Sequence, residues 1–470
     1  MNPQIVIIAV GLIPRHIGEN TPHLAELAKK HGARPLAGVF PAVTLTSQAS
    51  MLTGLRPAEH GAVGNGWLYR DTMEARLWQQ SRTLVNGEFF YETWQKRFGE
   101  AAVSRPAENC PPAGNFGKTA KLFWWFNQGT TADWTLTPKP YYGCDGDKVF
   151  AIHGAPGGFA AETETACGKF PFGAFWGPLA GAPSSEWIAR TAARTIRTYR
   201  PGLTLVYLPH LDYDLQRFGA TGAHLPQALK TLDRCAGEVI AAGREIGADL
   251  TVVSEYGIRD VSRVVYPNRV LREHGFLTVR PGPFGEVLET FQSRAFAVAD
   301  HQIAHIYIRR AEDIPEVKRI LENTPGVGEV LDTNGKRAYG IDHPRSGELI
   351  VLAAPDAWCS WQYFLDEKAA PDYAFTINIH RKPGYDPAEM FFNEKWRFPL
   401  LHAGARVLRK KLGFRMKFDV ISHDQSRIRG SHGLPPATPE DGAVFLSTRP
   451  APENIAMTDI GRFVLGDLPC

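Results

Sequence analysis

Cysteine is scarce and unpatterned in this chain of 470 residues: Cys110, Cys144, Cys167, Cys235, Cys359 and Cys470 are scattered, with no CxxC pair. That spacing excludes a zinc knuckle and argues against a disulfide framework, so free or buried thiols in a reducing compartment are expected. Long apolar runs are missing as well, and none approaches the length that spans a bilayer. The opening Met1-Asn2-Pro3-Gln4, ahead of a run of apolar residues, lacks both a basic segment and a small-residue cleavage site. It reads as a first strand and not as a signal peptide. Charge is balanced, 52 Lys+Arg against 49 Asp+Glu for a net +3. Overall charge therefore gives no reason to expect a nucleic-acid polymer or an anionic membrane as partner. Internal repeats and low-complexity tracts are absent. The sequence predicts a cytoplasmic protein with no transmembrane segment, and it leaves homo-oligomerisation open.

What is present is an ordinary globular composition, 44% hydrophobic and 21% charged, long enough for one large domain or two to three smaller ones. Residues 5–10 are continuously apolar and β-branched, the mark of a strand buried on both faces of a parallel sheet. Thr21-Pro22 opens a helix that Gly32 stops. Residues 40–44 read as a second strand and 47–52 as a helix start. The pattern returns with a strand at 203–208, a helix at 225–246 and a strand at 250–253. Strands alternating with helices predict a doubly wound, mostly parallel α/β sheet. Strands at 296–300, 305–310 and 348–353, with a helix capped by Asp313 and boxed by Glu316, predict a small inserted α+β cap.

The expected division is a core domain over 1–265, a cap over 266–400 and a return to the core over 401–470. An aromatic, Gly/Pro-rich insertion at about 105–180 reads as loop-supporting core. The basic run 406–417 reads as a solvated face.

Four segments at strand ends carry candidate chemistry. Thr44 stands at a strand end just before a helix N-terminus, where free N–H groups and the helix dipole hold anions, so its hydroxyl is a candidate nucleophile. Asp212 and Gln216 follow the 203–208 strand, at the carboxyl edge where open α/β folds bind ligands. Ser254-Glu255-Tyr256-Gly257 follows the next strand, and His432 lies between the small residues Ser431 and Gly433. Asp300-His301…His305 reads as a strand edge with structural histidines. His380-Arg381-Lys382…Asp386 gathers charged groups that a phosphate could use.

The order of these segments resembles the alkaline phosphatase superfamily, in particular its type I phosphodiesterase/nucleotide pyrophosphatase branch. Thr21-Pro22-His23-Leu24, Thr44, Thr53-Gly54 and Pro57 to Asn65 with its His60-Gly61 carry the likeness, and His343-Pro344-Arg345-Ser346-Gly347 resembles the cap of this branch. The resemblance implies a Thr44 nucleophile and metal positions at 10, 212, 216, 255, 256 and 432. Val10, Gln216 and Tyr256 depart from the ligands expected there, Glu255 stands for an Asp, and Ser47 stands for the phosphate-assisting Asn.

The resemblance therefore implies a metal-dependent hydrolase of phosphoric diesters or pyrophosphates acting on a small phosphorylated organic substrate. A threonine nucleophile would attack phosphorus. Asp212, His432 and Glu255 would hold one divalent metal (Mn, Mg or Zn) per chain, and Ser47, Asn65, Gln216, Arg381 and Lys382 would bind substrate. The altered ligands keep two alternatives open: an inactive or strongly modified member that binds a phosphorylated metabolite, and a phosphotransferase on the same fold.

Overall fold

The computed structural model describes residues 1–99, 115–144, 148–377 and 382–468; the candidates His380 and Arg381 lie outside the described residues. Along the chain run β1 (Gln4–Ala9), β2 (Arg34–Ala37), β3 (Thr119–Leu122), β4 (Trp134–Pro138), β5 (Ile152–Ala155), β6 (Leu203–Leu208) and β7 (Asp249–Val253). Next come β8 (Ala295–Asp300), β9 (Ile303–Ile308), β10 (Val327–Leu331) and β11 (Leu349–Ala353), then β12 (Val444–Ser447) and β13 (Ile455–Ala456).

The first seven and the last two form one nine-stranded sheet in the order β13-β2-β12-β7-β1-β6-β3-β4-β5. Its centre is parallel: β1 pairs in parallel with β6 and β7, β6 with β3, and β3 with β4. The chain's return supplies β12, antiparallel to both β7 and β2. Every residue of β1 and β6 is buried, as the uninterrupted apolar runs require when helices cover both faces. The sheet is thus α/β and mostly parallel, as expected.

The helices that matter to the site are α1 (Pro22–Ala28), α2 (Thr44–Thr53), α3 (Ala182–Tyr199), α4 (His210–Phe218), α5 (Leu225–Glu245), α6 (Ile314–Glu322) and α7 (Pro399–Lys411). Residues 40–44 are not a strand. Pro41 has no N–H to give a ladder, the nearby strand is β2, and Thr44 is already the first residue of α2.

A second sheet has the order β8-β9-β11-β10, with each neighbouring pair antiparallel. It packs its own core of Phe296, Val298, Ile306, Val317, Leu321 and Leu349. The α6 cap differs from expectation. The Asp313 side chain makes no cap bond and pairs instead with Arg294, because a buried carboxylate gains more from a guanidinium than from a helix N–H. Among the described residues no helix is long and apolar enough to cross a membrane.

Candidate active site

Because β1, β6 and β7 are parallel, their C-terminal ends meet at one edge of the sheet, and the residues just past them face one another. After β1 comes Val10-Gly11, where φ of +79° favours glycine and a Cβ would press on Leu215. After β6 the chain enters α4 at once, which places Asp212 in the first turn. After β7 come Ser254, Glu255 and Tyr256. His432 arrives from the short antiparallel pairing of Gly430–Ser431 with Arg259–Asp260.

These side chains form one buried hydrogen-bonded line. Thr44 Oγ1 lies 3.1 Å from Tyr256 Oη. The phenol donates to Asp212 Oδ1 at 3.3 Å, and Gln216 Nε2 donates to Asp212 Oδ2 at 2.6 Å. A phenol has one proton, so with Asp212 ionised the Thr44 hydroxyl must donate to Tyr256. His432 stacks on the Tyr256 ring, with centroids 3.7 Å apart and planes 6° from parallel. Its Nδ1 donates to the Ala42 carbonyl at 2.8 Å, which leaves the Nε2 lone pair free, 3.8 Å from Asp212 Oδ1.

The neighbouring groups lock this line in place. Asn65 Oδ1 accepts from Leu45 N at 3.0 Å in the first turn of α2, while its backbone N–H and amide donate to the two oxygens of Asp300. Ser47 Oγ donates to the Glu255 carbonyl, and Gln48 Nε2 to Glu255 Oε1 at 2.6 Å. Thus Thr44, Ser47, Asn65, Asp212, Gln216, Glu255 and His432 are brought together. Lys382 is fully buried, paired with Glu389 and donating to the Thr376 carbonyl; its neighbour Arg381 lies outside the described residues.

Three participants have a place here that the reading of the sequence does not give them: His301 reads there only as a structural histidine at a strand edge, and Tyr385 carries no role. Tyr256 figured there only as a lost metal ligand. His301 enters from the turn between β8 and β9 of the second sheet, and Tyr385 from the irregular segment that follows residue 382. The tight turn between β8 and β9 puts His301 at φ +58° and lays its ring 3.8 Å from His432. His301 Nε2 meets Tyr385 Oη at 2.8 Å, and its Nδ1 is buried without a partner. By contrast His305 is structural, held between the Val63 carbonyl and Gly347 N. The local signal for His301 was its place beside Asp300; only the contact of the β8–β9 turn with His432 brings it to the site.

Burial dominates the electrostatics. It pushes the Asp212 carboxyl up to about 7 against the hydrogen bonds from Gln216 and Tyr256. It pushes Glu255 up to about 8 and Asp300 to about 6. Burial also drives His432 down to about 3, a neutral imidazole at neutral pH, and keeps Tyr256 protonated.

The donor set tests the implied metal. A pair of ions does not fit: Val10 has no donor atom, and the phenol of Tyr256 is protonated and already engaged with Thr44 and Asp212. Among the described residues no group of three or more His, Cys, Asp or Glu side chains is arranged to hold a metal ion. A single ion finds partial provision in Asp212, the free His432 Nε2 and two buried oxygens without partners, Gln216 Oε1 and Glu255 Oε2. This set is rich in oxygen and short of imidazole.

A family model described as type I phosphodiesterase / nucleotide pyrophosphatase matches residues 4–386. Among solved structures, phosphonoacetate hydrolase from Sinorhizobium meliloti 1021 in complex with phosphonoformate superposes with a TM-score of 0.59 at 14% identity, covering 99% of this chain and 95% of that one. Murine ectonucleotide pyrophosphatase / phosphodiesterase 5 gives 0.58 at 13% identity over 99% and 94%. An inactive variant of it in complex with AMP gives 0.59 at 14% over 100% and 96%. At such identities these likenesses show the fold. No curated protein in the comparison matches the sequence.

Proposed function

From the type I phosphodiesterase/nucleotide pyrophosphatase family, to which this chain belongs, we infer a hydrolase of phosphoric diesters or pyrophosphates that uses Thr44 as its nucleophile. The observation that carries the reading is the buried line Thr44–Tyr256–Asp212–Gln216 at the carboxyl edge of the sheet. A threonine hydroxyl that donates to Tyr256 turns a lone pair away from that bond, toward a phosphorus at the α2 N-terminus. Fixing the attack angle in this way is worth orders of magnitude in rate. The N-terminus of α2 favours the transferred phosphoryl group, whose charge resides on its oxygens. Ser47 and Asn65 hold that terminus in place through Glu255, Leu45 and Asp300, and Gln216 steadies Asp212. Arg381 belongs to the proposal as a substrate-binding cation; Lys382, expected in the same role, is buried and committed to Glu389 and the Thr376 carbonyl instead.

Asp212 and His432, with oxygen from Glu255 or Gln216, are the residues that would hold one divalent cation. When bound, such a cation supplies positive charge to the phosphoryl oxygens. Attack by Thr44 on phosphorus breaks the bond to the leaving oxygen and gives a phosphothreonine, which water then cleaves. The substrate class is an organic phosphoric diester or pyrophosphate. Support comes from the aromatic cluster in which Trp125 and Tyr385 meet Trp78 while Trp176 meets Tyr213 and Tyr385, a composition suited to stacking on a base or another flat apolar leaving group.

A second reading, binding of a phosphorylated metabolite without turnover, is favoured by the Val10 and Tyr256 substitutions. The two separate in one experiment: turnover of p-nitrophenyl phosphate, bis-p-nitrophenyl phosphate and p-nitrophenyl thymidine phosphate by wild type and Thr44→Ala, each with EDTA and with added Mn²⁺. Hydrolysis of a diester that Thr44→Ala abolishes supports the hydrolase. Tight AMP binding with no turnover of any ester supports the second reading.

A further inference from the structure

α7 presents its faces in the reverse of the usual sense for a surface helix, whose apolar side packs inward. Its polar side faces the protein. His402 Nε2 meets Asp419 Oδ1 at 2.9 Å, Arg406 Nε lies 3.2 Å from the same oxygen, and the Trp396 ring stacks on His402. Its apolar side faces outward. Leu400, Leu401, Leu408 and Leu412 are 62%, 73%, 58% and 66% exposed, and no residue of the helix is buried. Positions 400, 401, 404, 408 and 412 share one side of a helix at 100° per residue. Exposed Phe398 and Phe414 stand at its two ends. Just beyond, Arg415 lies over the ring of a further exposed phenylalanine, Phe284, at 3.8 Å.

Charge decides what covers this face. Between 397 and 417 the chain has seven cations and no Asp or Glu, and two of the seven, Arg406 and Arg415, are paired with Asp419 and Asp372 from outside that run. A second copy of the chain docked face to face would oppose these cations with their own copies, which charge disfavours. An apolar helix face rimmed by cations fits the boundary between acyl chains and anionic headgroups, where leucines are buried and Lys and Arg reach the phosphates.

We propose that α7 and its flanking turns seat this protein on an anionic lipid surface, lying in the plane of the interface without spanning it. The basic run is then a docking surface and not the merely solvated face expected from the sequence. The proposal is independent of the reading of the active site. It is also local: the near-zero net charge of the whole chain hides it.

The full-length chain is tested by co-sedimentation with phosphatidylcholine vesicles, with and without phosphatidylglycerol. Binding to the anionic vesicles is expected to exceed binding to the neutral ones by about tenfold or more and to weaken as salt is raised. Leu401→Asp/Leu408→Asp is expected to abolish it with an unchanged circular dichroism spectrum, since both side chains are exposed. Arg409→Glu/Lys411→Glu, at two exposed positions, should weaken binding to anionic vesicles alone. Absence of binding to either vesicle overturns the proposal. So does a concentration-dependent dimer, seen by light scattering, that the Leu401→Asp/Leu408→Asp variant dissolves, because it assigns the face to a second copy.

Discussion

Replacing Asp212 by Asn should change how the stability of the metal-free protein depends on pH, and by a calculable amount. The Asp212 carboxyl rises from an ordinary 3.8 to about 7 on folding, and burial is the main cause. A carboxyl whose folded pKa lies above its unfolded one adds stability below the unfolded value and loses it as pH rises through the folded value. At pH 8 folding therefore holds an ionised group that prefers the unfolded chain by about 3 pKa units, or roughly 4 kcal/mol. At pH 5 the folded group is protonated while the unfolded one is not, and the penalty falls to roughly 2 kcal/mol.

The neutral amide of the Asp212→Asn variant carries neither penalty and keeps an oxygen for the amide of Gln216. The wild type should then lose roughly 2 kcal/mol more stability than Asp212→Asn between pH 5 and pH 8. The other buried titrating groups, His432 among them, are common to both proteins and largely cancel. Urea unfolding followed by tryptophan fluorescence, with EDTA present, at pH 5, 6, 7 and 8 measures this difference. Parallel pH profiles for the two proteins would refute the reasoning, since they would mean that Asp212 titrates as in an unfolded chain.

Two more outcomes follow from the same geometry. Tyr256→Phe keeps the ring stacked on His432 and removes only the hydroxyl that orients Thr44. It should lower kcat by about 10²-fold while leaving KM nearly unchanged, as steady-state kinetics on a diester will register. Lys382→Met leaves Glu389 buried without its cation and should cost about 3–5 kcal/mol in urea unfolding. Lys382→Met/Glu389→Gln should recover most of that loss; an equally unstable double variant would show that Lys382 acts through packing alone.

Much of the fold was legible because the central strands are apolar without interruption. The 203–208 strand has the bounds expected of it, and α5 ends within a residue of its expected end. The four motifs at strand ends also converge as their order implied. What was hidden depends on tertiary contact. Residues 40–44 have strand composition, yet Pro41 and the demand of Asn65 for the Leu45 N–H make Thr44 a helix residue. β10, Val-Gly-Glu-Val-Leu, is half exposed and too weakly patterned to stand out. Asp313 has the spacing of a cap, but Arg294 from another segment claims it. His301 reaches the site only because the turn between β8 and β9 lies against His432, with Gln302 N donating to the His432 carbonyl at 2.9 Å. Nothing local to either segment announces that pairing.

The claim on which the rest depends is that Thr44 attacks phosphorus. Acid quenching of the protein during turnover of bis-p-nitrophenyl phosphate, followed by peptide mass spectrometry, tests it directly. A phosphoryl adduct on Thr44 is expected within the first turnover and should be missing from Thr44→Ala along with the activity. Undiminished hydrolysis by Thr44→Ala, with no adduct on the wild-type peptide, would contradict it.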